Sequence, residues 1–194
     1  FGGKVYTATV AADGTWRCEV PAADLASLKE GTDSVQVSVT NAAGNGASAG
    51  HDYRVDTVAP TITVDSVTAD NVINSNEVKT GVTISGTATA EAGQRVTVTF
   101  NNHDYTARVG AGGRWSLVVP GADLKSLTDG TETIVVKVAD KAGNEGQADS
   151  TVGVDVSVPK VTINTIAGDD IINIAEHQQS QIVSGSVAFA GPGA

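Results

Sequence analysis

Two aspartates stand 99 positions apart in matching settings, Asp56 in Asp56-Thr57-Val58-Ala59-Pro60 and Asp155 in Asp155-Val156-Ser157-Val158-Pro159. A second recurring set is Asp70, Asp169 and Asp170, and two further acids, Glu91 and Asp140, fall in Gly- and Ala-rich turns. Carboxylates among Asn and Gly are hard oxygen donors. Calcium takes about six to eight of them at about 2.3–2.6 Å, drawing on carboxylates, amide and backbone carbonyls and water. Gathered at one place these acids would repel one another, and a divalent cation would relieve that repulsion. Asp56, Asp155, Asp70, Asp169, Asp170, Asp140 and Glu91 are therefore the candidate Ca2+ ligands. The opposing reading, turn formation and solubilising charge, suits an arbitrary acidic loop better; recurrence at one register is what sets the linker aspartates apart. Glu77 and Glu176 recur as well, as ligands or as caps of a short turn. Asn41 stands where Asp140 does, and residues 190–194 replace the stretch around Glu91, so a site in those copies would be weakened or lost.

Other chemistries lack their residues. There is no Gly-x-Ser-x-Gly elbow, no Gly-x-x-x-x-Gly-Lys phosphate cradle and no His-Glu-x-x-His run. His103-Asp104 is an adjacent acid–base pair, and the other copy has Lys4-Val5 there. His51, His103 and His177 fall in different copies without paired spacing, which argues against zinc. No Asp-x-Asp-x-Asp-Gly calcium loop or Gly-Gly-x-Gly-x-Asp array occurs. Cys18 is the sole cysteine, expected as a small space-filler on one face of a strand. Trp16 and Trp115 are expected to pack in a core or at its rim rather than to form a sugar-stacking platform. The chain is not expected to be an enzyme.

The chain's 12 Lys and Arg against 22 Asp and Glu give 194 residues a net charge of −10. Without a basic cluster, neither nucleic acid nor anionic lipid is an expected partner. No stretch approaches the roughly 18 unbroken apolar residues of a membrane span, and none has the pattern of a signal peptide. Val, Thr and Ala dominate without 3.6-residue periodicity, which predicts an all-β fold.

The acids are positioned by a repeat. Shifting the sequence by 99 lays Phe1 on Phe100, Trp16 on Trp115, Leu25 on Leu124 and Val55-Asp56 on Val154-Asp155, with 26 of the first 60 positions identical. Beyond Pro60 the match continues through Asp70 on Asp169, Ile73-Asn74 on Ile172-Asn173 and Ser85-Gly86 on Ser184-Gly185. A period of this length, filled with short alternating runs, is the size of an immunoglobulin-like antiparallel β-sandwich, in tandem. The complete copy is expected to hold seven strands, A 61–68, B 81–89, C 95–101, D 103–110, E 114–119, F 132–139 and G 147–154. Proline-stiffened linkers then divide the chain into the later part of one repeat (1–55), a linker (56–59), a whole repeat (60–154), a linker (155–159) and the first part of a third repeat (160–194). Neither partial copy should close a core alone. The chain is expected to be a cut from a longer array, the alternative being that residues 160–194 supply strands A and B to residues 1–55 of a neighbour. Alternating strand directions would put Asp56, Glu91 and Asp140 at the upstream pole of the whole repeat, and Asp70, Asp123, Asp129 and Asp155 at its downstream pole.

These residues carry a family resemblance. The linker aspartates before proline, Gly168-Asp169-Asp170-Ile171-Ile172-Asn173 with Glu176, Asp13-Gly14-Thr15-Trp16 and Asp140-Lys141-Ala142-Gly143-Asn144 together resemble the bacterial immunoglobulin-like repeats of giant type I-secreted, calcium-binding adhesins, a group that includes large non-fimbrial adhesins. Biofilm-associated surface proteins carry similar repeats. The resemblance implies a secreted, surface-held rod, stiffened by calcium near its domain junctions, with neighbouring repeats of the same chain as its immediate partners. The parent protein would present an adhesive tip to host cells or other surfaces, with a role in virulence or biofilm. The alternative is a repeat that itself binds a glycan or protein receptor.

Overall fold

The computed structural model describes residues 1–189. The chain falls into two compact units, Phe1–Val58 and Ala59–Ala194. The first holds a single helical turn, α1 (Ala22–Leu25), and one long hairpin of β1 (Gly31–Thr40) and β2 (Gly46–Val55), paired from Gly31 opposite Val55 to Thr40 opposite Gly46. Residues 1–20 form no strand, although their counterparts 100–119 do. A strand's N–H and C=O groups need a partner strand, and this unit has no counterpart of the strands that pair with residues 103–119. Cys18 is accordingly exposed and off any strand, a correction to the strand-facing position expected of it.

The second unit contains the whole repeat. Its elements are β3 (Val72–Asn74), α2 (Ser75–Thr80), β4 (Val82–Thr87), β5 (Arg95–Phe100), β6 (His103–Arg108), β7 (Arg114–Val119), α3 (Gly121–Leu124), β8 (Gly130–Ala139) and β9 (Glu145–Asp155). One sheet runs in the order β3-β9-β8-β5-β6, and β4 pairs with β7 in the opposing layer. Period-two patterning dictates which faces meet. Val96, Val98 and Phe100 of β5, Ile134, Val136 and Val138 of β8 and Val152 and Val154 of β9 are buried against Val82 and Ile84 of β4 and Trp115 and Val119 of β7. Thr99, Thr133 and Lys137 take outward positions.

Strand A is shorter than expected and changes sheets. Residues 61–65 run along β4, through the Ile62–Ala88 bridge and N–H bonds of 2.8 Å from Thr63 to Thr87 and from Asp65 to Ser85. This approach requires a glycine at position 86, where a Cβ would lie 1.9 Å from the Thr63 carbonyl oxygen. The chain then crosses over, and β3 pairs parallel with β9, setting Val72 opposite Gly153 and Asn74 opposite Asp155. The stretch expected to be an open loop thus contains a strand and a helix. Its cue is local: Asn74 accepts from the Asn76 and Glu77 N–H groups while Glu77 accepts from Asn74, a reciprocal cap written in the sequence as Asn-x-x-Glu.

Within the third copy, β10 (Lys160–Ile163) pairs with β11 (Gly185–Ala188), and Val161 opposite Val187 reproduces the Ile62–Ala88 register. Gly185 repeats the role of Gly86, with an added Cβ falling 2.0 Å from the Thr162 carbonyl oxygen. Among the described residues no helix is long and apolar enough to cross a membrane.

Ile73 is fully buried at the point where the chain has just changed sheets. Ile73→Ala should lower stability by ~2–5 kcal/mol, the range for emptying such a site, read as a shift of the urea midpoint at unchanged slope. Gly86→Ala should also destabilise the repeat, because a backbone carbonyl must give way.

Candidate metal centre

Downstream, Asp155 closes β9 beside Asn74. Its Oδ1 is buried and has no hydrogen-bond partner, the only such carboxylate oxygen among the described residues. Burying a charged oxygen without compensation is costly, so this atom is suited to a cation. The other buried orphan is Trp115 Nε1, in the core. One residue on, Asp129 accepts the Val156 N–H at 2.8 Å and the Ser157 hydroxyl at shorter range. Unit one repeats this clasp, with Glu30 accepting the Thr57 N–H at 3.0 Å and the Thr57 hydroxyl. Sequence reasoning put Asp129 at this pole but overlooked Glu30, whose cue was an acid 99 positions before Asp129. Asp56, the counterpart of Asp155, differs in having an ion pair with Arg54 at 3.2 Å, where the middle copy has Gly153.

The acids of the A-to-B connection make turns. Asp70 Oδ1 accepts from the Thr68 hydroxyl at 2.8 Å and the Val72 N–H at 3.1 Å. Asp169 Oδ1 accepts the Ile171 N–H at 3.0 Å, and Asp170 Oδ1 the Ile166 N–H at 2.9 Å. Asp170 sits at φ 64° and its counterpart Asn71 at φ 57°, left-handed positions that Asn and Asp tolerate. Asp70 is not gathered with Asp155 as expected: β3 intervenes, about 7 Å long at ~3.3 Å per residue. Asp123 is engaged elsewhere too, accepting from Tyr105 Oη at 3.0 Å.

Upstream, Glu91 and Asp140 do come together. Glu91 Oε2 accepts the Lys141 N–H at 3.0 Å, tying one loop to the β8–β9 turn. Asp140 closes that turn by accepting from the Asn144 N–H and Nδ2, both at 2.9 Å. Asn41 does the same in the first copy, accepting the Asn45 N–H at 2.9 Å, so the neutral replacement keeps the turn. Glu77 and Glu176 are caps, each accepting from the Asn three residues before it. His103 Nδ1 lies 2.8 Å from the Asn101 carbonyl oxygen, a local turn contact. Among the described residues no group of three or more His, Cys, Asp or Glu side chains could by itself hold a metal ion. A calcium at Asp155 would therefore draw most of its oxygens from amides, backbone and water, which its chemistry permits.

These hydrogen bonds set the titrations. The Ser157 hydroxyl, then the Val156 N–H, hold Asp129 below its ordinary value, as Asn144 does for Asp140 and the N–H groups of Glu91 itself and Lys141 do for Glu91. Burial followed by the bond to Asp123 pushes Tyr105 up to about 12; the bond to Asp24 does the same for Tyr6. A carboxylate lowered on folding contributes stability above its unfolded value and loses it as pH falls through the folded one. A tyrosine raised on folding contributes below its unfolded value and loses it as pH rises towards 12. Stability should thus be level from about pH 5 to about pH 9, falling below the ordinary carboxylate value of 3.8 and above the ordinary tyrosine value of 10.0. Chemical denaturation across pH checks this, and Tyr105→Phe should remove much of the alkaline loss.

The family model for the bacterial Ig-like domain matches residues 60–156. Among solved structures, a 1.5-MDa bacterial ice-binding adhesin, studied for host cell surface retention, is 35% identical over 98% of this chain and 62% of that one, with a TM-score of 0.54. A Ca2+-stabilized adhesin that helps an Antarctic bacterium reach out and bind ice is 35% identical over 98% of this chain and 47% of that one, at 0.51. A bacterial immunoglobulin-like domain from the M. primoryensis ice-binding adhesin is 41% identical over 50% of this chain and 98% of that one, at 0.43. The chain thus spans 62% and 47% of the first two relatives it matches. No curated protein matches it. Two opposed sheets, a 97-residue match spanning residues 60–156 and similarity to adhesin repeats agree: the chain belongs to the bacterial Ig-like domain family, with one whole domain at its centre.

Proposed function

We propose that the chain is a non-enzymatic spacer segment of a secreted, surface-held bacterial adhesin, a run of Ig-like repeats stiffened by Ca2+ at the junctions. The parent would use that rod to hold an adhesive tip towards a host cell or another surface. The observation that carries the calcium reading is the buried, unpartnered Asp155 Oδ1 at the end of β9. Asp155 is the leading ligand and Asp56 its counterpart by repetition, with Arg54 competing for the latter. Glu91 and Asp140 are the upstream ligands; Asp70, Asp169 and Asp170 rank below them because turn formation already accounts for their bonds. Bound calcium would supply charge neutralisation and oxygen coordination. A cation that binds one linker arrangement better than others biases the linker towards it by that difference in affinity.

Similarity to adhesin repeats, one of them from a Ca2+-stabilized adhesin, supports this reading. So does the covered inner face of the whole repeat, where Trp115 is 2% exposed and unavailable for stacking on a sugar. Export by a type I system and a role in virulence or biofilm belong to the same proposal.

Extracellular calcium modules bind at about 10⁻⁴–10⁻³ M. Calcium at about one to ten times Kd stabilises a protein by about 0.4–1.4 kcal/mol, so millimolar calcium should raise the midpoint of thermal unfolding of this chain and chelator should reverse it. Asp155→Asn should lose at least half of the shift while leaving the melting point in chelator nearly unchanged. A melting point indifferent to calcium in the unsubstituted chain would remove the calcium reading.

A further inference from the structure

The five-stranded sheet of the whole repeat ends at β6, with no strand hydrogen-bonded beyond it among the described residues. The turn that joins β6 to β5 fixes which of its backbone groups are left over. Asn101 and Asn102 have φ of 48° and 59°, the left-handed pair of a two-residue hairpin turn, and Phe100 stands opposite His103. Hydrogen-bonded and non-hydrogen-bonded pairs then alternate along the antiparallel ladder. Tyr105 and Ala107 exchange bonds with β5, while the N–H and C=O groups of Asp104, Thr106 and Arg108 point outward from the sheet edge. Those three residues are exposed, whereas Tyr105 and Ala107 pack against the core. An edge of this kind is a template for another strand.

We infer that β6 of the whole repeat pairs antiparallel with β6 of a second copy of this chain, about a two-fold axis through Thr106. The symmetry of the charges identifies the occupant. Asp104 and Arg108 lie two residues to either side of Thr106, so the axis sets Asp104 opposite Arg108 of the other copy twice over, and Thr106 opposite Thr106. The outward N–H and C=O groups of each edge meet the same groups of the other, one patch serving on both sides. Moving the axis to Asp104 or to Arg108 would oppose like charges, which is destabilising, so charge selects this register. Asp104 Oδ1 accepts from Thr99 Oγ1 at 2.6 Å, and an Arg108 N–H is donated to the Gly93 carbonyl oxygen at 2.7 Å. These bonds hold both side chains in place and leave a carboxylate oxygen and further guanidinium N–H groups for the other copy. The first repeat has Val5 and Thr9 at these positions, so the self-complementary edge belongs to the whole repeat. A single added strand makes a smaller contact than the roughly 1,200–2,000 Å² of stable complexes, so the pairing is reversible and gains strength where several contacts act together. The axis also reverses chain direction. β6 lies in one sheet with β9, whose end is the exit from the repeat, so the paired chains run in opposite directions. In the rod reading, on which this step alone rests, such pairing joins arrays held on two facing surfaces rather than neighbours on one.

Sedimentation of the intact chain up to millimolar concentration, in excess chelator so that the outcome is independent of calcium, tests the pairing. The unsubstituted chain should associate reversibly. Asp104→Arg and Arg108→Asp should each weaken association at least about tenfold by setting like charges opposite one another, with melting unchanged because both side chains are exposed. A 1:1 mixture of the two variants should recover the lost affinity, since each then supplies the sign the other lacks. The register has its own readout. Across a hydrogen-bonded antiparallel pair the Cα atoms are about 5.5 Å apart, within reach of a disulfide. Thr106→Cys in a Cys18→Ser background should therefore form covalent dimers with oxidised glutathione at least about tenfold faster than Thr133→Cys on the outer face of β8. A chain monomeric to millimolar concentration, association indifferent to both charge reversals, a mixture no stronger than its components, or equal cross-linking at the two positions would each overturn the proposal.

Discussion

The structure depends on one constraint: the inner face of a β-sheet must be covered by another layer. Apolar side chains on the five-stranded sheet meet those of β4 and β7, and this burial is the main favourable term in a domain of such size. Where the second layer is present, Val136 and Trp115 disappear from solvent; where it is absent, Val37 and Trp16 line an open groove. The same sequence pattern therefore has two fates, decided by what covers it. Hydrogen bonding follows suit, since residues 103–119 form strands beside their partners and residues 4–20 do not.

Covering the face leaves the poles to polar chemistry. Asx turns, reciprocal caps and the clasps by Glu30 and Asp129 use most of the acids on backbone N–H groups, fixing loop and linker geometry from within each unit. Asp155 stands apart, because its inner oxygen is withdrawn from water without a protein donor. A single such atom separates a candidate cation ligand from the surrounding turn formers more sharply than acidity or recurrence does.

Much of this was legible in the residues. The 99-position shift pointed to Ig-like repeats, alternation located β5, β8 and β9, and the Gly-rich turn around Asn144 located the hairpin between the last two. Strand A was carried on to residue 68 because Val64 and Val67 lie across a change of sheet, which depends on the tertiary approach permitted by Gly86. The helix α2 was missed although Asn74 and Glu77 spell its cap. Asp70 was grouped with Asp155 because both follow strands; the parallel register of β3 on β9, invisible in one dimension, separates them. Asp129 and Glu30 showed their roles only once the linker backbone was in place.

Stiffening of the array by calcium at the junctions, as proposed above, has a direct physical readout in its length. Small-angle scattering from a chain of three whole repeats, first in excess chelator and then in millimolar calcium, addresses it most directly. The account predicts a longer maximum dimension with calcium, and loss of that change when both linker aspartates, at the positions of Asp56 and Asp155, are replaced by alanine. Scattering profiles that superimpose with and without calcium would contradict it, leaving the prolines and the Glu30 and Asp129 clasps to set the linker angle alone.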